Sequence, residues 1–140
     1  MIILPVTLTA AGLAALMNIW IATRVGRVRG QEKVSIGDGG KERLTAAMRA
    51  HANYVEYTPF VLVLLALIEM AAGSPWWLWL LAIIYLVGRV AHALGMTTDS
   101  PLKLRMIGTV VTMLTLLGLG VYAITLPHLE VPHHAVLNEG

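Results

Sequence analysis

The hydrophobic and polar positions along the chain divide it into four long apolar stretches separated by short polar segments. The apolar stretches lie at residues 2–23, 53–72, 75–95 and 106–126. Each has roughly the 20 residues that an α-helix needs to cross a bilayer. The first and fourth contain no charged residue, whereas the second includes Glu56 and Glu69 and the third includes Arg89 and His92. The pattern predicts an all-α membrane protein, built as a bundle of four transmembrane helices.

The composition supports this fold class. Of the 140 residues, 57% are hydrophobic and 13% are charged, and the mean hydropathy is +0.74. A soluble domain of this size has a large surface to cover with polar groups, and so few charged residues cannot cover it. We predict a single four-helix transmembrane domain over residues 1–126 and a flexible polar tail over residues 127–140, which contains two prolines.

The lysines and arginines lie on one side of the predicted bundle. Seven of the ten lie between the first and second spans, and the other three (Arg89, Lys103 and Arg105) lie around the connection of the third and fourth spans. By the positive-inside rule, both basic connections face the cytoplasm and both termini face outward. We therefore expect a multi-pass protein in contact with membrane lipids.

The residue types that are missing exclude several kinds of chemistry. The chain has no cysteine, so thiol chemistry would need a thiol co-substrate, and no thiolate metal site is available. Its basic residues have no interleaved aromatics and no recognisable nucleic-acid reading motif. We expect neither a bound metal nor a nucleic-acid partner.

Ionisable side chains enter the predicted helices at one depth, near the cytoplasmic side. Arg49, Asn53 and Glu56 have the spacing i, i+4, i+7 and therefore share one face of the second helix. Arg89 and His92 lie at a similar depth on the third helix. Such groups cost about 2.5 to 3.5 kcal/mol each on membrane-insertion scales, so they usually pair or face a polar cavity.

Two interpretations of this cluster remain open at the level of sequence. In the first, the groups neutralise one another, for example Glu56 with Arg89, and fix the register of the helices. In the second, they form an anion site, because Arg49, Arg89 and Arg105 carry more charge than Glu56 can neutralise. Arginine binds carboxylates through paired hydrogen bonds, and Glu56 can accept from an ammonium group. The second interpretation predicts a small anionic ligand from the cytoplasm.

The segment "RAHANYVEYTP", residues 49–59, resembles the signature of the MAPEG family, the membrane-associated proteins of eicosanoid and glutathione metabolism. In that signature the second helix carries an Arg and then Asn-x-x-Glu-Tyr-x-Pro. The segment "GRVAHALG", residues 88–95, resembles the helix-three motif of the family, and "GDGG", residues 37–40, is similar to a loop of its small bacterial members. The resemblance covers about residues 1–126. It implies a bacterial inner-membrane protein that forms a homotrimer and binds glutathione between neighbouring subunits.

The same resemblance implies which residues bind glutathione and which one activates its thiol. By position in the motifs, the expected glutathione ligands are Arg27 (or Arg24), Arg49, His51, Asn53, Glu56, Tyr57, Arg89 and His92. Catalytic relatives use an Arg near the start of helix four to activate the thiol. Arg105 fits that position best, and Lys103 is the alternative. Some catalytic relatives also place a Tyr four residues after the position of His92, where this chain has Met96.

The activity that the resemblance implies is glutathione transfer, or glutathione-dependent peroxide reduction, on small lipophilic substrates from the bilayer. A free thiol has a pKa near 8.5, and lowering it by about two units needs roughly 2.7 kcal/mol, which a partly desolvated Arg can supply. A second hypothesis is a non-catalytic lipid-binding or scaffold protein of the same fold. A third, a small transporter, is disfavoured because the charges cluster at one interface and do not cross the span.

Overall fold

The computed structural model describes residues 3–96 and 102–129, and these two segments contain four α-helices. The helices are α1 (Pro5–Glu32), α2 (Glu42–Ala72), α3 (Trp76–Gly95) and α4 (Leu102–Leu129). All four are long and apolar enough to cross a membrane. The predicted all-α architecture, with four helices able to span a bilayer, is confirmed.

Three of the helices extend well beyond the apolar stretches that predict them. α1 continues through its basic residues to Glu32, and α2 begins at Glu42, before its apolar stretch. α4 begins at Leu102 and ends at Leu129, three residues after the predicted domain boundary. At 1.5 Å per residue, the 28 residues of α1 span about 42 Å, whereas the hydrocarbon core is about 30 Å thick. The apolar pattern marks the part of a helix inside the membrane, and the helix itself can continue into water. Residues 130–140 of the predicted tail lie outside the described residues.

The connection between α1 and α2, residues 33–41, is fixed by one arginine and one aspartate. The backbone is left-handed at Lys33 and at three glycines, a conformation that glycine adopts without strain. Arg29 donates hydrogen bonds to two backbone carbonyls of the connection. The carboxylate of Asp38 accepts from the Gly40 N–H and from the Thr45 hydroxyl, and these hydrogen bonds lower the pKa of Asp38. The basic end of α1 is thereby held beside the start of α2.

Buried apolar residues from all four helices form the core. The core includes Val6, Ala10, Ala14, Ile21, Val61, Leu65, Ile68, Leu78, Ala82 and Leu119. Two buried tyrosines join it with their hydroxyls paired: Tyr54 donates to the carbonyl of Ala14, and Tyr85 shares a hydrogen bond with the hydroxyl of Thr58. Polar atoms at membrane depth need such partners inside the protein, because lipid offers none.

The backbones of α3 and α4 touch where α3 ends and α4 begins. A side chain at Gly95 would collide with the backbone of Arg105, and one at Gly108 would collide with Gly88 and His92. Glycine therefore permits an approach that any other residue would prevent. This approach brings the last turn of α3, with His92, directly against the first turns of α4.

The buried carboxylate of Glu69, near the end of α2, caps the first turn of α1. The backbone N–H of Val6 donates to Oε1 at 2.9 Å, the N–H of Thr7 donates to Oε2 at 2.8 Å, and the Ser74 hydroxyl donates to Oε1 at 2.6 Å. Pro5, at the start of the helix, has no N–H to satisfy. One side chain thus satisfies the free donors of the first turn and lies at the positive end of the helix dipole. Glu69, the second carboxylate of the apolar stretch over residues 53–72, is therefore paired within the protein.

Candidate functional site

A cavity of about 370 Å³ lies between α2, α3 and α4, at the end of the bundle where α3 ends and α4 begins. It is open on one side and combines charged, polar and apolar side chains. The residues that line it are Arg49, Ala52, Asn53, Glu56, His92, Met96, Arg105 and Thr109. Five of the residues predicted for the site therefore share one cavity: Arg49, Asn53, Glu56, His92 and Arg105.

Asn53 is oriented within this cavity by Arg89. Nη2 of Arg89 donates a hydrogen bond to Oδ1 of Asn53 at 2.8 Å. Because a guanidinium group can only donate, the amide oxygen must face it, and the amide NH₂ group is left for the cavity. Asn53 therefore offers donors, and not an acceptor, to a bound molecule.

Arg89 carries a buried charge that no carboxylate neutralises within residues 3–96 and 102–129. Its side chain is 1% exposed, its Nη1 donates to Thr112 Oγ1 at 3.2 Å, and its Nε has no hydrogen-bond partner in those segments. The guanidinium carbon also lies 5.7 Å from the centre of the Tyr54 ring. The ion pair found in the same segments joins Arg43 to Glu32 instead. An uncompensated buried cation is costly, and this one adjoins the cavity through Asn53.

His92 is buried against α4 and lines the cavity. Its Nδ1 lies 3.4 Å from the carbonyl oxygen of Arg105 and 3.3 Å from the hydroxyl oxygen of Thr109. Its Nε2 is buried and has no hydrogen-bond partner in the described part of the chain. The second ring nitrogen is thus a buried polar atom that the described residues leave unsatisfied.

Exposed charges form the rim of the cavity. Arg49 and Glu56 lie on α2 and Arg105 lies on α4, and all three side chains are exposed in the single chain. With Arg89 behind Asn53, the cavity has three guanidinium groups in or beside it and one carboxylate. A concave site with excess positive charge attracts anions.

Comparison with known proteins assigns the chain to a family. The model of the MAPEG family matches residues 7–125, which is most of the chain. The chain belongs to the MAPEG family. Inner membrane protein YecN of Escherichia coli K12 and that of Escherichia coli O6:H1 are each 39% identical to it over 85 residues. The aligned segment covers 61% of this chain and 65% of either relative, so the chain spans slightly less than two thirds of the curated relatives it matches.

The MAPEG signature on α2 divides between two faces of the helix. Asn53 faces the cavity, whereas His51 shares a hydrogen bond with Asn18 on α1, at 2.9 Å between Nε2 and Oδ1. Residues two apart on an α-helix differ by about 200° in direction, so His51 and Asn53 cannot face the same way. Tyr57 is half-buried and lies outside the set of described residues that line the cavity.

The cations that the sequence predicts for the site on α1 and α4 do not all lie at the cavity. Arg24 donates to the carbonyl of Ala93 at 2.7 Å and so ties α1 to the end of α3. Arg27, the other candidate on α1, is exposed. Arg105 lines the cavity, whereas Lys103 is exposed and is not among the described residues that line it.

The hypothesis that Glu56 pairs with Arg89 is wrong. Glu56 lies exposed at the rim, whereas the guanidinium group of Arg89 is buried behind Asn53. Neutral oxygens of Asn53 and Thr112 accept its hydrogen bonds in place of a carboxylate. The charges at this end of the MAPEG bundle consequently remain unbalanced within the described chain.

Two threonines of α4 belong to the site although the charge pattern of the sequence does not indicate them. Thr109 lines the cavity and Thr112 accepts from Arg89. With Arg105 they have the spacing i, i+4, i+7, the same signal that identifies the polar face of α2. Threonine is easily overlooked in a membrane helix, because its hydroxyl can bond a carbonyl one turn earlier. Both threonines do so, to the carbonyls of Arg105 and Gly108.

Proposed function

We propose that this MAPEG protein binds glutathione in the cavity between α2, α3 and α4 and uses it on small lipophilic molecules from the bilayer. The reaction is glutathione S-transfer to an electrophile or glutathione-dependent reduction of a peroxide. The observation that carries the proposal is the charge imbalance of the cavity: Arg49 and Arg105 at the rim and Arg89 behind, against the single carboxylate of Glu56.

Glutathione has the groups that such a cavity needs. Its two carboxylates match the guanidinium groups, and its ammonium group matches Glu56. Its two amides have carbonyl oxygens that can accept from the NH₂ group of Asn53, and it carries a thiol. The cavity volume of about 370 Å³ lies in the ordinary range of small-molecule sites, about 300–1,000 Å³. No metal is required for this mode of binding.

Arg105 is our choice for the residue that activates the thiol. It lines the cavity at the start of α4, in the position that the family resemblance assigns to this role. Its positive charge stabilises the thiolate relative to the thiol, and the thiol proton leaves to water at the cytoplasmic end of the bundle. The thiolate sulfur then attacks an electrophilic carbon and displaces its leaving group, or it attacks a peroxide oxygen and breaks the O–O bond. In the second case the leaving alkoxide takes up a proton as an alcohol, and the glutathione sulfenic acid reacts with a second glutathione to give the disulfide and water.

A homotrimer would complete the site. Arg49 and Glu56 are exposed on α2, and Glu56 lies inside the predicted span of residues 53–72, where a charge that faces lipid costs up to about 2.5 to 3.5 kcal/mol. A neighbouring subunit over the open side of the cavity removes that cost. Arg27, exposed on α1, would enter the neighbour's site.

We place the protein in the inner membrane, as the name of the YecN relatives supports, with both basic connections cytoplasmic and both termini outside.

A second candidate function is non-catalytic binding of lipid, or assembly, by the same fold. The observation in its favour is Met96, which lines the cavity where some catalytic relatives have a tyrosine. A thioether cannot donate a hydrogen bond, so the phenol of those relatives has no counterpart here.

Turnover separates the two functions. The purified protein in lipid nanodiscs is mixed with glutathione and either an aromatic halide or a lipid hydroperoxide. We expect product formation by the native protein, loss of about 25-fold at pH 7 in Arg105→Ala, because a thiol pKa that returns from about 6.5 to about 8.5 lowers the thiolate fraction by that factor, and little change in the matched control Lys103→Ala. Glutathione binding with no turnover on either substrate would favour the second function.

A further inference from the structure

We infer that Arg24 and Trp20, near the basic end of α1, bind the phosphate group of an anionic phospholipid. The lipid belongs to the leaflet on the side of the basic connections, which we place at the cytoplasm. Neither residue is among the described residues that line the cavity between α2, α3 and α4, so the inference does not rest on the binding of glutathione.

Arg24 lies at the depth of the lipid phosphates. The stretch over residues 2–23 has no charged residue, and Arg24 is the first cation after it. From Pro5 to Arg24 the helix rises about 30 Å at 1.5 Å per residue, which matches the thickness of the hydrocarbon core. Trp20 lies one turn earlier and is 37% exposed, and indoles favour this interface. α1 therefore presents an aromatic ring and a cation where the acyl chains end and the headgroups begin.

The guanidinium group of Arg24 is fixed in position but keeps its charge. Its Nη1 donates to the carbonyl of Ala93 at 2.7 Å, and its central carbon lies 5.5 Å from the centre of the Trp20 ring. Both partners are neutral, and the ion pair formed within residues 3–96 and 102–129 joins Arg43 to Glu32. A guanidinium group has five N–H donors, and one carbonyl among the described residues accepts from Arg24. The other donors of this half-buried cation are left for an anion, which a group already held in place binds with little loss of conformational freedom.

An apolar stripe on α1 leads from this cation toward the opposite leaflet. Leu13, Leu16 and Trp20 are exposed, and with Arg24 they have the spacing i, i+3, i+7, i+11, so they share one side of the helix. A phospholipid has the same order of groups, because its phosphate is followed by acyl chains. An acyl chain along the stripe anchors the phosphate at the depth of Arg24, whereas inorganic phosphate has no such anchor.

The uncompensated charge selects among phospholipids. Phosphatidylglycerol has a net negative charge, whereas the ammonium group of phosphatidylcholine offsets its phosphate. Basic sites between transmembrane helices at the cytoplasmic surface bind anionic headgroups for this reason. The cation of Arg24 therefore favours phosphatidylglycerol over phosphatidylcholine.

Native mass spectrometry measures this preference. The purified protein in detergent is mixed with equal amounts of phosphatidylglycerol and phosphatidylcholine of the same chain length. We expect the first bound lipid to be phosphatidylglycerol about five times as often, the factor expected of one arginine at an anionic headgroup. Arg24→Gln should abolish the preference, because glutamine can still donate to the Ala93 carbonyl but carries no charge. The control Arg43→Gln, which removes an exposed arginine of α2, should keep it. Equal binding of both lipids by the native protein, or an undiminished preference in Arg24→Gln, would overturn the inference.

Fluorescence quenching tests the site without any change at Arg24. Lipids with bromine on their acyl chains quench a nearby indole, and the difference between the native protein and Trp20→Phe isolates Trp20 from the other three tryptophans. In bilayers of phosphatidylcholine, we expect a small fraction of brominated phosphatidylglycerol to quench Trp20 more than the same fraction of brominated phosphatidylcholine. Equal quenching would contradict the lipid site. Excess inorganic phosphate should leave the difference unchanged, and its disappearance would show that the site binds free phosphate and not a lipid.

Glutathione titration separates this inference from the proposed function. We expect Arg24→Gln to bind glutathione as the native protein does. Weaker glutathione binding with an unchanged lipid preference would assign Arg24 to the glutathione site and refute the lipid site. Absence of glutathione binding by the native protein would reject the proposed function, while a lipid preference that depends on Arg24 would still support the lipid site.

Discussion

Arg89 of α3 donates a hydrogen bond of 2.8 Å to the amide oxygen of Asn53 on α2. This contact turns the NH₂ group of Asn53 toward the cavity, and it brings a buried guanidinium charge directly behind a group that lines the site. The two residues therefore act together on any anion in the cavity: one supplies donors and the other supplies charge.

Asn53→Asp tests the orientation of this side chain. The carboxylate still offers an oxygen to Arg89, and it also neutralises that charge, so the thermal stability of the purified protein should stay the same or rise. The donors that face the cavity become an anionic acceptor, and glutathione affinity should fall by about 10- to 100-fold. Unchanged affinity would show that the NH₂ group does not contact the ligand.

Arg89→Met separates a role in ligand binding from a role in folding. The variant leaves no carboxylate unpaired, so we expect the free energy of unfolding to change by less than about 2 kcal/mol, whereas breaking a true buried ion pair costs about 3–5 kcal/mol. Glutathione affinity should fall about tenfold, because the charge behind Asn53 is lost. The surface variant Arg43→Met is the control and should alter neither property. Large destabilisation with unchanged affinity would instead indicate that Arg89 mainly fixes helix register.

Gly108→Ala tests the close packing of α3 on α4. The new methyl group would collide with the Gly88 carbonyl and with His92, so the helices must separate. We expect a loss of about 1–3 kcal/mol of stability together with weaker glutathione binding, since His92 and Arg105 move apart. Gly26→Ala is the matched control, because a methyl group there meets no atom within 4 Å. Similar effects of both substitutions would show that the packing of α3 on α4 is not specific.

Glu69→Ala tests the cap on α1. Removal of the carboxylate leaves the N–H groups of Val6 and Thr7 without their acceptor, at a cost of about 1–3 kcal/mol per buried group. We expect a clear decrease in the thermal unfolding temperature with glutathione affinity nearly unchanged, because the cap lies at the opposite end of α2 from the cavity. Met70→Ala, an exposed neighbour on the same helix, should have little effect. Comparable destabilisation by Met70→Ala would argue that the loss reflects α2 in general and not the cap.

The sequence predicts the spans and the polar face of α2 because both depend on periodic local patterns. Hydropathy reports the length of chain that lipid can surround, and the spacing of Arg49, Asn53 and Glu56 places them on one side of a helix whatever surrounds it. The placement of ionisable residues on α3 and α4 adds His92 and Arg105, and the structure brings all five into one cavity.

The sequence cannot predict which groups become partners across helices. Arg89 bonds Asn53 and Thr112 and not Glu56, because the partner depends on how α3 rotates against α2 and α4. Glu69 meets Val6, 63 residues away, only because α1 and α2 run side by side. His51 is a different case: its offset of two residues from Asn53 already indicates the other face of the helix.

The central claim, that the cavity is a glutathione site, is tested most directly by calorimetric titration of reduced glutathione into the purified protein in lipid nanodiscs. We predict saturable binding by the native protein and by Lys103→Ala, and binding weakened by about 10- to 100-fold in Asn53→Asp. The claim would be contradicted if the native protein gave no binding, or if Asn53→Asp bound glutathione as well as the native protein does.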